Sequence, residues 1–216
     1  MDTPPSTSFG LVDGTPVFMD VAEDSYFRLE HEEECAFLAL LRQSERTSEP
    51  ILTGLVRSFG GEKSEIAPIS CPPKPTSGLP PSPGKPKLFE MLTVARLLFE
   101  ARWALQTRSI RGVLEFLTGR ESRAASSAPD PIGTARTFRT ARKLVPLRGN
   151  CLSDSLALMH WLAKRGESAT LVFGVKLDPF AAHCWVQNGA IALNDHPERI
   201  ERFTPVRIIE CGCATS

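Results

Sequence analysis

The sequence has no excess of either charge: Lys and Arg total 25 and Asp and Glu total 25 over 216 residues, so bulk charge names no partner. It also has no zinc-like pair of cysteine pairs. Of its six cysteines (Cys35, Cys71, Cys151, Cys184, Cys211, Cys213), only Cys211 and Cys213 stand close together. They lie near the end, with no second pair or histidine cluster to close a tetrahedral site, and no metal is expected. Met1 to Phe9 is polar and Pro-rich and does not read as a signal peptide. The longest apolar stretch, around Val94 to Leu105, is broken by Arg96, Glu100 and Arg102, which excludes a bilayer span. No nucleotide-binding motif is present, so no cofactor is expected in this chain. These absences lead to the expectation of a reduced, cytoplasmic protein without a membrane partner, long enough to bury a core.

What charge there is lies unevenly. Asp20 to Glu34 holds seven acids against one base, Arg28, whereas Lys85 to Arg148 holds thirteen Lys and Arg against five acids. The basic stretch suits an acidic peptide or nucleic acid, or serves as a solvated surface complementing the acidic N-terminus. Phe9 to Val12, the turn pair Asp13-Gly14, and Pro16 to Val21 predict a β-hairpin. A third strand is expected over Ser25 to Leu29. A helix from about His31 to Gln43 follows, then another from Ser48 to Phe59. Eight prolines between Pro68 and Pro86 read as an extended linker. Beyond it, helices are expected from about Lys87 to Gln106, with Leu88, Met91, Leu92, Ala95, Leu98 and Phe99 as the apolar face. Two more are expected over Ile110 to Thr118 and Ile132 to Leu144, separated by a loop from Gly119 to Pro131. The last part predicts a helix from Asn150 to Arg165 stopped by Gly166. A strand over Thr170 to Val175 and a hairpin around Asn188-Gly189 come after it. The class is α+β, divided as 1–67, a linker over 68–86, and 87–216.

Three residues of the last part fit one mechanism. Cys151 falls in the first helical turn, with Asn150 as cap, where unpaired N–H groups and the helix dipole favour a thiolate. The same N–H groups suit a substrate oxyanion. His183 opens one hairpin strand, and a two-residue turn at Asn188-Gly189 sets Asn194 opposite it and Asp195 just beyond. A carboxylate holding an imidazole beside a helix-start cysteine is the logic of a nucleophilic triad. Cys184 is expected on the face of its strand opposite His183. His160 lies more than two turns from Cys151, and His196 has no partner named by spacing. Asp154 is expected to support the helix start.

The segment Leu147 to Pro197 resembles the transglutaminase-like cysteine protease domain of the lasso-peptide maturation B proteins. The shared pattern is Cys151-Leu152, Ser155 to Leu158, Gly174-Val175, Pro179-Phe180, His183 with Trp185-Val186, and Asn194-Asp195. Gln187 stands where relatives commonly have Glu, and Cys184 replaces a usually small residue. The N-terminal module is similar to the PqqD-like recognition element of these systems. That similarity rests on Asp13-Gly14, Val17 to Asp20, and Asp24 with Tyr26, Phe27, Arg28 and Leu29. The resemblance implies a small winged-helix-like (PqqD-like) module followed by a C-terminal transglutaminase- or papain-like cysteine protease domain. It further implies a leader peptidase in which the third strand, through Tyr26 to Leu29, binds the leader of a lasso precursor peptide by strand addition. Cys151, His183 and Asp195 would cut between leader and core. An asparagine-synthetase-like lasso cyclase, using ATP, would be the partner. A winged-helix shape also suggests DNA, but the acidic turn region would repel phosphate, and no nucleic-acid partner is expected. Two other readings stay open: an acyltransferase with an amine in place of water, and a non-catalytic scaffold that presents the precursor.

Overall fold

The computed structural model describes residues 7–44, 66–68, 72–81, 84–108, 110, 112 and 129–211. Asp13 and Gly14 both take positive φ, 51° and 85°, the pair of left-handed residues that a tight I′ hairpin turn requires. They join β1 (Thr7–Val12) to β2 (Thr15–Asp20) in the register Val12↔Thr15 to Thr7↔Asp20. β3 (Ser25–Arg28) pairs antiparallel with β2, and α1 (His31–Ser44) follows it. β4 (Ile66–Pro68) runs parallel to β1, so the sheet order is β3-β2-β1-β4 and β3 is an edge. Phe9, Phe18 and Phe37 cluster beneath α1, with Leu29 packed against them. The helix expected from Ser48 to Phe59 lies outside the described residues.

The proline-rich stretch is extended, as its composition requires, and where described it is docked rather than a free spacer. β5 (Ser77–Gly78) lies parallel to β8 (Ile191–Ala192) at the edge of a second sheet. The N–H groups of Thr76 and Ser77 donate to Ala190 O at 2.9 and 3.3 Å. The Gln187 side chain donates to Pro73 O at 3.0 Å, and Leu79 is buried. Prolines lack the donor a central strand needs, which suits this segment to a sheet edge.

Among the described residues, three helices follow β5: α2 (Leu88–Thr107), α3 (Pro131–Leu144) and α4 (Cys151–Ala163). The apolar face expected for α2 holds at Leu98, and Met91 and Ala95 pack against the core, but it is corrected at Leu88, Leu92 and Phe99. Val94, Leu97, Leu98 and Ala101 are buried, whereas Leu88, Leu92 and Phe99 are exposed. The helix carries two apolar stripes, and only packing against α3 and α4 selects between them. The helix expected over Ile110 to Thr118 and the loop after it lie almost wholly outside the described residues. α4 is buried all round, for Ser155 through Leu162 are buried in unbroken succession. It ends at Gly166, whose φ of 69° is the left-handed stop that glycine supplies.

The second sheet has the order β5-β8-β7-β6-β9. β6 (Ala169–Lys176) is central, between β7 (Ala181–Asn188) and β9 (Thr204–Cys211). A short α5 (Pro197–Ile200) leads into β9, a strand the sequence reading did not foresee. β1 packs on β9 so closely that a Cβ at Gly10 would collide with the Pro205 carbonyl. Beside it the buried Ser8 hydroxyl donates to Val206 O at 2.7 Å. Val12, Val17, Met19 and Val21 belong to the same hydrophobic core as α4, Leu171 and Val186. The two sheets therefore share one interior.

Candidate active site

Cys151 is held by the way α4 begins. Asn150 takes an extended conformation, and its side chain accepts from Leu152 N at 2.9 Å and Ser153 N at 3.5 Å, as expected of a cap. Asp154 N–H donates to Asn150 O at 3.0 Å. The approach to the helix is pinned by Arg142, which donates to Asp154 (3.1 Å), Val145 O (3.2 Å) and Leu147 O (3.1 Å). Burial, the larger influence, raises the Asp154 pKa in spite of Arg142. Asp154 thus supports the helix start, as its position suggested.

The hairpin register differs from the one expected. The pairs are Gln187↔Ala192 and Asn188↔Ile191, so the turn is Gly189-Ala190 and not Asn188-Gly189. Asn188 stays in the ladder with its amide donating to Ser168 O at 3.0 Å, and Gly189 alone takes positive φ. The pairing also ends early. Leu193 N–H still reaches Val186 O at 2.8 Å, but Val186 N–H is met by the Asn194 side chain, also at 2.8 Å. Beyond that point the chain leaves the sheet, so Asp195 reaches His183 by crossing over instead of sitting beside a paired Asn194.

The outcome joins the three residues nonetheless. His183 is buried between the rings of Trp185 (6.2 Å) and Phe203 (5.1 Å), and its Nε2–H donates to Asp195 Oδ2. Asp195 also accepts the His196 N–H at 2.8 Å and lies 3.8 Å from Arg199 Nε. Burial opposes its ionisation, yet the bond from His183 and its neighbours hold its pKa below the usual value. With Nε2 committed, Nδ1 is left for Cys151. Burial would lower the His183 pKa, but hydrogen bonds with Asp195 and Cys151 raise it to about 8. The Cys151 pKa is lowered to about 4, first by a hydrogen bond from the Cys184 thiol, against burial, then by His183 and the Cys184 N–H. Between these values sulfur and imidazole are both charged, which gives a nucleophile facing a proton donor. His160 is buried in α4.

Cys184 was passed over in the sequence as peripheral. It does point away from His183, toward α4, and there it is buried within hydrogen-bond reach of Cys151 and 3.8 Å from Ser155 Oγ. At this level β7 is paired with β6, and among the described residues its other side carries no ladder partner. The signal available was the His-Cys dipeptide itself, read without the open edge.

The four residues of the third strand separate. Tyr26 turns toward the thiol site, its ring edge-on to Phe180 at 6.0 Å, and burial, with smaller contributions from the nearby sulfurs, raises its pKa. Phe27 faces the other way, stacked on Phe18 at 5.0 Å. Arg28 is exposed, 3.7 Å from Glu34, and Leu29 packs on the phenylalanine cluster. Only Tyr26 is brought to the thiol.

An N-capped helix presenting a cysteine to a His-Asp pair on an antiparallel sheet is the arrangement of a thiol enzyme. The chain matches the transglutaminase-like superfamily over residues 95–208, just over half its length, and belongs to that superfamily. It is also similar to the microcin J25-processing protein McjB of Escherichia coli, 36% identical over 59 residues. That stretch is 27% of this chain and 28% of McjB, so the chain spans well under a third of that protein. No solved structure matches. Among the described residues no helix is long and apolar enough to cross a membrane.

Proposed function

We propose that this chain is a leader peptidase of lasso-peptide maturation, a cysteine peptidase acting through Cys151, His183 and Asp195. The observation that carries the reading is Cys151 at the Asn150-capped start of α4 with His183 bonded to Asp195, and the pKa shifts of sulfur and imidazole run in the directions a thiolate–imidazolium pair needs. The Cys151 thiolate attacks the carbonyl at the leader–core bond. His183 gives its proton to the leaving amine, and then takes one from the water that hydrolyses the thioester. Leu152, Ser153 and Asp154 donate their N–H groups back to Asn150. The Cys151 N–H is therefore the first-turn donor for the oxyanion. The likeness to a processing protein supports peptide substrates.

The N-terminal sheet is the PqqD-like recognition module in this reading. β3 is an edge strand, and an extended leader adds to it through backbone hydrogen bonds. Phe27, Arg28 and Leu29 shape the strand, while Tyr26 carries the bound peptide toward the thiol. The freed core amine passes to an asparagine-synthetase-like cyclase, which spends ATP on ring closure. Superfamily membership keeps one rival in view, acyl transfer to an amine.

Incubating the chain with a precursor and weighing the products decides between them. A free leader acid is expected. An amide-linked product sinks hydrolysis, and full cleavage by Cys151→Ala sinks the nucleophile.

A further inference from the structure

Gln187 is a fully buried polar side chain that the peptidase mechanism does not use. It shares a face of β7 with His183 and Trp185, since alternate residues of a strand point the same way. Its oxygen accepts the Trp185 indole N–H at 2.8 Å, and its amide nitrogen donates to Pro73 O at 3.0 Å and Gly189 O at 2.9 Å. Turned over, the amide would set donors against the indole N–H and its oxygen against two carbonyls, so the network admits one orientation. The indole lies over Gly174, where a Cβ would come within 2.8 Å of Trp185 Cζ3, and it stacks on the His183 ring at 6.2 Å. Pro73 therefore reaches the imidazole through two side chains.

The same proline-rich segment touches the other half of the pair. A Cβ at Gly78 would lie 3.5 Å from Pro197 Cδ and 3.8 Å from Asp195 O. Gly78 does not take positive φ, so glycine supplies room there and not conformational freedom. Around it the segment is tied at both ends. Thr76 and Ser77 donate to Ala190 O, and on α3 Arg139 donates to Leu79 O at 3.4 Å and Arg136 to Pro81 O at 2.7 Å. Pro72, Pro73 and Pro75 have fixed φ, so holding the segment extended costs little chain entropy. Asp195 lies beyond the last ladder pair of β8, so strand pairing does not set its distance from His183. Resting on the reading of His183 and Asp195 as the acid–base pair, we propose that this segment is a strap that positions both. Gln187 is a positioning residue that sets the His183 ring through Trp185, and Gly78 sets the backbone that carries Asp195.

The test reads the imidazole directly. The ring nitrogens of His183 are titrated by NMR in the full chain, with thermal unfolding followed alongside. Burial lowers the His183 pKa, but its hydrogen bonds with Asp195 and Cys151 carry it to about 8, so a slackened pair lowers the midpoint. Asp195→Ala sets the scale, with a fall of about one pH unit or more. Gln187→Met keeps the length of the side chain but neither amide donor nor oxygen, and is expected to bring a fall of about half a unit or more. Gly78→Val presses a branched side chain toward Asp195 and Pro197 and is expected to act in the same direction. Cys151 and Arg199, the other ionisable groups that bear on the pair, remain in every variant. A role confined to stability would lower the melting temperature and leave the midpoint in place, and that result in Gln187→Met overturns the proposal. If that variant does not fold, Gly78→Val is judged by the same shift. No shift in Asp195→Ala would undo the pair and the inference with it, whereas a shift there alone would undo only the strap. The titration needs no substrate, so a chain without peptidase activity still answers the question.

Discussion

The two sheets differ most at their edges. In the N-terminal sheet β3 is an edge along all four of its residues, flanked by Phe27 and Arg28 at the surface. In the second sheet the outer edge of β7 opens where β8 stops, and the Asn194 side chain meets the Val186 N–H there. A whole free edge suits an incoming backbone. An edge met by a side chain, as at Val186, is closed to an added strand there. In the proposed reading the comparison separates capture from chemistry within one chain, and Tyr26 spans the two.

Removing the Cys151 sulfur is the strongest way to test that separation. Cys151→Ala is expected to lower precursor cleavage by on the order of 10⁴-fold or more, with precursor affinity by fluorescence polarisation unchanged. Asp195→Ala, which frees the imidazole, is expected to lower kcat by about 10²–10⁴-fold. Acidity probes the same site without mutation. The thiolate is lost as pH falls through about 4, and the protonated imidazole as pH rises through about 8. The kcat/KM profile should therefore be a bell falling about tenfold per pH unit outside those limits. Phe27→Pro disturbs the other edge. Leader affinity should weaken by about tenfold, the effect of one or two lost backbone hydrogen bonds, while Cys151 alkylation keeps its rate. Gly10→Ala drives a methyl group into the Pro205 carbonyl. It should cost about 1–3 kcal/mol, and because the core is shared, circular dichroism should show one transition shifted down, not two separating.

What the sequence revealed depended on whether the cause was local. The Asp13-Gly14 turn, the Asn150 cap and the Gly166 stop are each determined within a few residues, and each stands where it was expected. The buried face of α2 was read only in part, at Leu98, Met91 and Ala95, because Leu92 and Phe99 are as apolar as Val94 and Leu97 and only distant partners choose between them. β9 was missed although Val206, Ile208 and Ile209 favour a strand, since its partner β6 lies some thirty residues earlier. The meeting of Cys151, His183 and Asp195 was anticipated from order and hairpin logic. The register behind it was not, for Asn188 prefers its bond to Ser168 over a place in the turn. Cys184 escaped because a free edge is a property of the neighbouring strand, not of the residue.

The seam between β1 and β9 has a thermodynamic consequence. Ser8 bonded to Val206, and Gly10 pressed on Pro205, tie the first described strand to the last. A chain closed on itself in this way gains or loses stability as a whole. A peptide held on β3 at a hundred times its dissociation constant would add about 2.7 kcal/mol to that whole. The bound leader would then act as a folding ligand for the thiol site, and its release after cleavage would return the enzyme to its less stable state. A melting temperature that climbs with precursor and relaxes as cleavage proceeds would report turnover with no label on either molecule.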